Sequence, residues 1–174
     1  RKVILNSIIS LMVIPVIVLI IPMFIMLSKL HLNNNYIGVI FIYIGILLPF
    51  NTYLLYSYFL SVYKSLIDSA KIDGCSNFQI YLKIMLPLSK SSLITLLVYD
   101  LLWTWNELLI ALIFMQKEEL RTLMVGLNLL KGRYTVNVPT IMAGLVVGIV
   151  PILLVYLYAQ KYFVKGLVAG SIKE

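Results

Sequence analysis

The chain has 174 residues, of which 61% are hydrophobic and only 12% are charged, and its mean hydropathy is +1.00. Charged residues make up about a quarter of an ordinary soluble domain, so this composition excludes that class. The formal net charge of +7 is spread along the rims of the apolar segments and forms no stripe that could follow a phosphate backbone. We therefore expect no nucleic-acid partner.

Four apolar segments are long enough to cross a bilayer, because about 20 helical residues span the hydrocarbon core. Residues 3–28, 32–63 and 134–160 contain no charged side chain, and the segment 91–116 contains two acids, Asp100 and Glu107. We therefore predict an all-α integral membrane protein that forms a single transmembrane domain over residues 1–174. The predicted spans lie near residues 3–28, 37–60, 91–115 and 139–162.

The distribution of Lys and Arg predicts the orientation in the membrane. If residues 1–2, 61–90 and 161–174 share one side, that side holds nine basic residues and the other holds five. This excess places both termini and the loop 63–90 in the cytoplasm. The loop 116–138 then lies outside, where it either covers a pore mouth and touches an external partner or serves as a solvated connector.

The cytoplasmic loop 63–90 has the pattern of two short helices joined by a tight turn. Gly74 suits the left-handed residue that closes a helix. Ser76 and Gln79 then form a capping box that starts a second helix, which we expect to stop before Pro87. An apolar helical face either docks on another protein or packs under its own bundle. That face consists of Phe78, Tyr81, Leu82 and Met85.

Two stretches of this loop form a spaced motif, residues 68–74 (DSAKIDG) and residues 84–87 (IMLP). The motif resembles the EAA loop of binding-protein-dependent ABC importer permeases. Other landmarks resemble the carbohydrate-uptake branch of that family, the maltose-permease-G-like subunits. They are Ile14-Pro15, Ile21-Pro22-Met23, Trp105-Asn106-Glu107 and the segment 160–173.

The resemblance implies that the loop is a coupling helix, which docks in a cleft of an ATP-hydrolysing subunit. Ala70 would allow close packing there, Gly74 would make the turn, and Asp73 would supply a polar contact or cap. The residues carried over to this role are Asp68, Ala70, Asp73, Gly74, Leu86 and Pro87. The implied partners are an ABC ATPase dimer, a second permease subunit in a heterodimer, an extracytoplasmic solute-binding protein and the lipid bilayer of a bacterial cytoplasmic membrane.

The sequence departs from the family pattern in the loop and in length. Asp68, Ser69 and Cys75 stand where Glu, Ala and a small Ala are common. Members of the family typically have six spans, and this chain matches the last four. We therefore expect that amino-terminal spans are missing from it.

A second hypothesis concerns a translocation pathway, and it rests on the two acids of the third predicted span. Asp100 and Glu107 are seven residues apart, which on a helix is roughly 10 Å of rise and within about 20° of one face. Carboxylates inside a membrane usually face a bundle interior or water, and Thr104 shares their side. Trp105 and Asn106 add a ring and an amide, which suit sugars. We predict that these five residues line a translocation pathway or gate; a structural helix contact and a direct substrate ligand remain alternatives.

The sequence contains no GxxxxGK[ST] phosphate loop and no paired His or Cys set. We expect no catalytic site, no metal site and no cofactor in this chain, with ATP bound by the partner subunit. The prediction is a transporter subunit, not an enzyme, that takes up a carbohydrate, most simply an oligosaccharide. Two alternatives stay open: a non-sugar solute such as glycerol-phosphate compounds or polyamines, and a truncated membrane protein without transport.

Overall fold

The computed structural model describes residues 2–130 and 137–171, with residues 161–171 as helical backbone. Within these ranges the structure is helical and contains no strand, which confirms the predicted all-α membrane fold. The helices are α1 (Lys2–Ser10), α2 (Val16–Lys29), α3 (Tyr36–Ser61), α4 (Lys64–Ile72), α5 (Asn77–Ile80), α6 (Leu86–Leu88), α7 (Lys90–Asn106), α8 (Leu109–Phe114), α9 (Leu123–Leu129) and α10 (Val138–Ser171).

Two of these helices are individually long and apolar enough to cross a membrane: α3, and α10 over Val138–Gln160. They lie on the second and fourth predicted spans. The first predicted span corresponds to a bent helix pair, Lys2–Val13 with Val16–Lys29. A second bent pair, Asn77–Leu88 with Lys90–Asn106, overlaps the third predicted span only over α7, and the described residues have up to four spans if each pair counts as one.

The first predicted span, 3–28, is not one straight helix. After α1 and a 3-10 turn, Ile14 adopts an extended conformation (φ −77°, ψ 118°) in front of Pro15. The ring of a proline disfavours helical geometry in the residue before it. The chain therefore turns there, α2 begins at Val16, and the two halves meet at 104°.

The connection between α2 and α3 is tied to the loop after α8. His31 and Asn34 both have positive φ, 55° and 54°, which makes the turn compact. The Asn34 side-chain oxygen accepts hydrogen bonds from the backbone N–H groups of Gln116 (2.7 Å) and Lys117 (3.2 Å). Asn35 then caps the start of α3 with its own side chain.

The third predicted span, 91–115, also differs from a single helix. α7 ends at Asn106 because Glu107 is extended (φ −69°, ψ 126°), and α8 resumes two residues later. The predicted outer loop 116–138 contains a further helix, α9. It was not predicted, because the residues around it are polar. Residues 131–136 of that loop lie outside the described residues.

The core lies where α2, α3, α8 and α9 meet. Buried apolar side chains from all four helices form one cluster there, and the rings of Phe24 and Phe114 are 6.0 Å apart beside it. The members of the cluster are Leu27, Val39, Ile42, Ile110, Ala111, Phe114, Met115 and Val125. By contrast, only 6% of the Val138–Gln160 window is buried within this chain.

α9 packs against α10 at Gly144. A Cβ atom at this position would collide with the side chain of Leu127, whereas at Gly148 it would lie 3.4 Å from the same side chain, an ordinary contact. Leu127 is buried. The absence of a side chain at Gly144 therefore permits the close approach of these two helices.

Candidate functional site

The loop between α3 and α7 folds as the predicted helix–turn–helix. α4 ends at Ile72 and is closed by Gly74, whose φ of 80° lies in the left-handed region. The Gly74 N–H donates to the carbonyl of Lys71 (3.1 Å), and the Cys75 N–H donates to the carbonyl of Ala70 (3.0 Å). These two bonds make a Schellman motif, which satisfies the last carbonyls of α4.

The predicted capping box starts the second helix directly after this turn. The Gln79 N–H donates to Ser76 Oγ (3.3 Å), and the Ser76 N–H donates to Gln79 Oε1 (2.8 Å). Ala70 and Ile80 are each only 5% exposed, so the inner face of the loop is closed by small and apolar side chains. Ala70 is thus buried inside the loop itself.

The outer face of the loop is apolar and exposed. Phe78 is 69% exposed, Tyr81 46% and Leu82 43%, whereas Met85 is half-buried. Asp68 and Asp73 are also exposed. The loop therefore exposes an aromatic and aliphatic face and two carboxylates, features that suit docking on another protein.

Pro87 does not end the second helix, contrary to the prediction. α5 passes into a π turn, Tyr81–Met85, and continues through α6, in which Pro87 is the second residue. In an α-helix a proline ring clashes with the carbonyl four residues earlier, and a π turn widens the local spacing. The helix instead ends at Ser89, where α7 leaves at 67°. Leu86 is half-buried here and Pro87 is exposed.

Asp100 lies in α7 between two open cavities. One, of about 500 Å³, is bordered by α3, and the other, of about 570 Å³, by the start of α9. Asp100 Oδ2 accepts a hydrogen bond of 2.7 Å from the Asn51 amide. No donor among the described residues reaches Asp100 Oδ1 or Asn51 Oδ1, although both atoms are buried.

Thr104 and Trp105 line the larger cavity together with Asp100. The Trp105 indole N–H donates to the carbonyl of Gly148 in α10 (3.1 Å), which fixes the ring between α7 and α10. Thr122 borders the same cavity and caps α9, since its side chain accepts from the Val125 N–H. The cavity thus has a carboxylate, two hydroxyls and a hydrogen-bonded indole ring in its wall.

Glu107 does not share this wall. Its Oε1 accepts from the Ile110 N–H (2.7 Å), and its Oε2 accepts from the Ala111 N–H (3.0 Å) and from the Tyr43 hydroxyl (3.0 Å). The carboxylate therefore caps the first turn of α8 and links it to α3.

Asn106 is exposed, and its amide donates to the Leu102 carbonyl (2.7 Å). Of the five residues proposed for a pathway, the structure thus brings Asp100, Thr104 and Trp105 to one cavity. It separates Asn106 and Glu107 from it. The same-face argument for Glu107 does not apply, because the helix ends before this residue.

A comparison with protein families gives a match over residues 1–168 to the binding-protein-dependent transport system inner membrane component. The chain belongs to this family. The predicted resemblance to ABC importer permeases is confirmed, and a membrane location follows from it together with the apolar helices.

Several curated permeases are similar to this one. It is 37% identical to the probable ABC transporter permease protein YurM of Bacillus subtilis over 88% of this chain and 51% of that protein. It is 34% identical to the arabinooligosaccharides transport system permease protein AraQ of the same organism, over 99% of this chain and 61% of AraQ. The sulfoquinovosyl glycerol transport system permease protein SmoH of Agrobacterium fabrum is 36% identical over the same shares.

This permease chain spans about half to three fifths of the length of these relatives. All three are named as transport permeases, which agrees with the prediction of a transporter subunit and not an enzyme. Dependence on a binding protein is a property of the family itself.

Two polar residues of the permease escaped the sequence analysis. Asn51 is the one amide within α3 and bonds Asp100, and Tyr43 lies two turns earlier and bonds Glu107. An amide inside an apolar span is costly unless it is paired, so Asn51 could have been matched to Asp100. Tyr43 carried no such signal, because α3 contains several tyrosines.

Proposed function

We propose that this permease segment forms part of the transmembrane pathway of an ABC importer that brings a carbohydrate, most simply an oligosaccharide, into a bacterial cell. A separate ATPase subunit hydrolyses the ATP. The observation that carries the proposal is the exposed apolar face on the capped helix–turn–helix of residues 63–90, in a chain that belongs to a binding-protein-dependent transport family.

The coupling role is supported by how rigidly this loop is built. The Schellman motif and the capping box leave Gly74 as the turn and present Phe78, Tyr81 and Leu82 outward. Such a face suits a groove on a soluble partner, here an ABC ATPase dimer. Asp68 and Asp73, which are also exposed, would make the polar contacts of that interface.

The pathway role falls to the cavity at Asp100. Its carboxylate, the Thr104 hydroxyl and the Trp105 ring line one space, and sugars pair hydroxyls with polar groups and ring faces with aromatics. Glu107 and Asn106 were predicted for the same role. The hydrogen bonds of Glu107 favour a structural task for it instead.

The substrate class rests on relatives. Among them are permeases named for arabinooligosaccharides, for alpha-glucosides and for starch degradation products. One relative is named for osmoprotective compounds, so a non-sugar solute is the second candidate. We further propose a second permease subunit, an extracytoplasmic solute-binding protein, and cytoplasmic termini.

The test uses the full-length permease that contains this chain, assembled with its partner permease and ATPase and reconstituted in proteoliposomes with the solute-binding protein. We expect labelled oligosaccharides to enter with ATP, and glycerol phosphates and polyamines to be excluded. Entry of a non-sugar solute alone would establish the second candidate. Failure of the permease to copurify with an ATPase would contradict the proposal.

A matched pair of variants tests the loop. Gly74→Val places a β-branched residue at φ 80°, a conformation that costs about 1–3 kcal/mol for such residues, whereas Gly74→Asn keeps a residue that tolerates it. We expect Gly74→Val to abolish ATP-driven uptake while insertion into the membrane persists, and Gly74→Asn to retain most of it. Equal uptake by both variants would refute the coupling role.

A further inference from the structure

We infer that Tyr58 is a positioning residue for coupled transport, because its hydroxyl ties the two legs of the coupling loop together at the membrane surface. The inference rests on the proposed function and adds to it a residue outside the loop motif. It concerns how motion of the loop reaches the spans, not how the loop binds the ATPase.

The first leg is the direct continuation of α3. This helix ends at Ser61, and α4 begins at Lys64 after a short extended link. Tyr58 is therefore in the last turn of α3, less than one turn from the point where the loop departs. The Ser61 hydroxyl donates to the Tyr58 carbonyl (2.7 Å), which holds this last turn together.

The second leg is the junction of α6 with α7, at which the helix axis bends by 67°. Ser89 forms the bend and is completely buried, and its hydroxyl donates to the Leu86 carbonyl (2.9 Å). A bend of this size interrupts the regular series of backbone hydrogen bonds. The carbonyl of Leu88, directly before the bend, then needs another donor.

The Tyr58 hydroxyl supplies that donor: it hydrogen-bonds to the Leu88 carbonyl. The bond joins residues 30 positions apart in the chain. It closes a ring that runs from α3 through α4, α5 and α6 and back to α3. Because the acceptor is a backbone carbonyl, the tie acts on the path of the chain and not on one side chain.

A closed ring transmits force differently from an open loop. When a partner displaces the Phe78 face, legs that are tied at their base move α3 and α7 together. Without the Tyr58–Leu88 hydrogen bond, the end of α3 can separate from the junction of α6 with α7, and part of the displacement is lost at the Ser89 bend. Tyr58 is half-buried, so its loss removes a hydrogen bond without opening the core.

The test compares Tyr58→Phe with Tyr56→Phe in the reconstituted importer. Tyr56 lies on the same helix, and its hydroxyl has no hydrogen bond to the residues that the structure describes. The first readout is the number of solute molecules imported per ATP hydrolysed. We expect this ratio to fall about fivefold in Tyr58→Phe, the factor that corresponds to one neutral hydrogen bond, and to stay at the wild-type value in Tyr56→Phe.

The second readout is geometric. Spin labels on cysteines introduced at Asn77 and Leu97, both exposed, with native cysteines replaced by serine, report the distance across the bend. We expect the distance distribution to broaden in Tyr58→Phe and not in Tyr56→Phe. A broadened distribution with an unchanged ratio would overturn the coupling role, and an unchanged distribution would overturn the tie itself. Absence of uptake by the wild type would instead overturn the proposed function on which the inference rests.

Discussion

The hydrogen bonds of Glu107 allow its structural role to be tested quantitatively. Its carboxylate accepts from two backbone N–H groups at the start of α8, those of Ile110 and Ala111, and from the Tyr43 hydroxyl. Ile110 is 1% exposed and Ala111 is 0% exposed. Neither N–H can turn to water if the carboxylate is removed.

The expected magnitudes follow from these three bonds. Glu107→Ala leaves two buried donors unpaired, at about 1–3 kcal/mol each, or about 2–6 kcal/mol in all. Glu107→Gln keeps one carbonyl oxygen as an acceptor and should lose about 1–2 kcal/mol, since charge-assisted bonds are roughly twice as strong as neutral ones. Tyr43→Phe removes a single bond and should cost about 1 kcal/mol.

The assay is the unfolding of the detergent-solubilised full-length permease, followed by heat or by denaturant titration. We expect the stability order wild type, Tyr43→Phe, Glu107→Gln, Glu107→Ala, with the first two close together. Uptake by Glu107→Gln should approach the wild-type rate in proportion to the folded fraction. A stable Glu107→Gln permease that fails to transport would refute the structural interpretation and return Glu107 to the pathway.

Two further predictions concern α3, α7, α9 and α10. Asn51→Leu removes the hydrogen-bond donor to Asp100 and should destabilise the permease more than the double variant Asn51→Leu/Asp100→Leu. The reason is that an unpaired buried polar group costs more free energy than a pair of apolar side chains. Equal losses of stability in an unfolding titration would contradict this prediction. The Gly144→Ala permease should be less stable than the Gly126→Ala permease by about 1–3 kcal/mol. Both variants gain helix propensity, but only the methyl group at position 144 collides with Leu127. Equal melting temperatures would show that Leu127 moves aside without cost.

The sequence predicted the helix–turn–helix of residues 63–90 well, because its signals are local. Gly74 as the left-handed closing residue and the Ser76–Gln79 capping box each depend on atoms a few positions apart, and both are present. The passage of the helix through Pro87 was not predictable in this way. It depends on a π turn, which has no residue signature of its own.

The breaks within the first and third spans were missed for a different reason. Hydropathy measures the length of an apolar segment and not its direction, so segments 3–28 and 91–115 looked continuous. In the first, the chain bends by 104° at Ile14-Pro15. In the third, α7 ends before Glu107, whose carboxylate accepts from the N–H groups of Ile110 and Ala111 and, across to α3, from the Tyr43 hydroxyl.

The pathway residues were predicted as a group, and the structure divides them. Asp100, Thr104 and Trp105 share a cavity because they lie on one side of α7 near α9, a helix that the sequence analysis had read as loop. The Trp105 bond to Gly148 could not be foreseen, since it joins residues 43 positions apart.

The back-to-back caps between Ala70 and Gln79 have a consequence for how this permease can vary. The Schellman motif and the capping box supply four hydrogen bonds between residues 70 and 79, and these bonds involve only backbone and cap atoms. The side chains of Phe78, Tyr81 and Leu82 take no part in these hydrogen bonds. If the proposed coupling role holds, exchanging these three side chains would alter which ATPase subunit the permease binds and leave the turn intact, so that this specificity could change one side chain at a time.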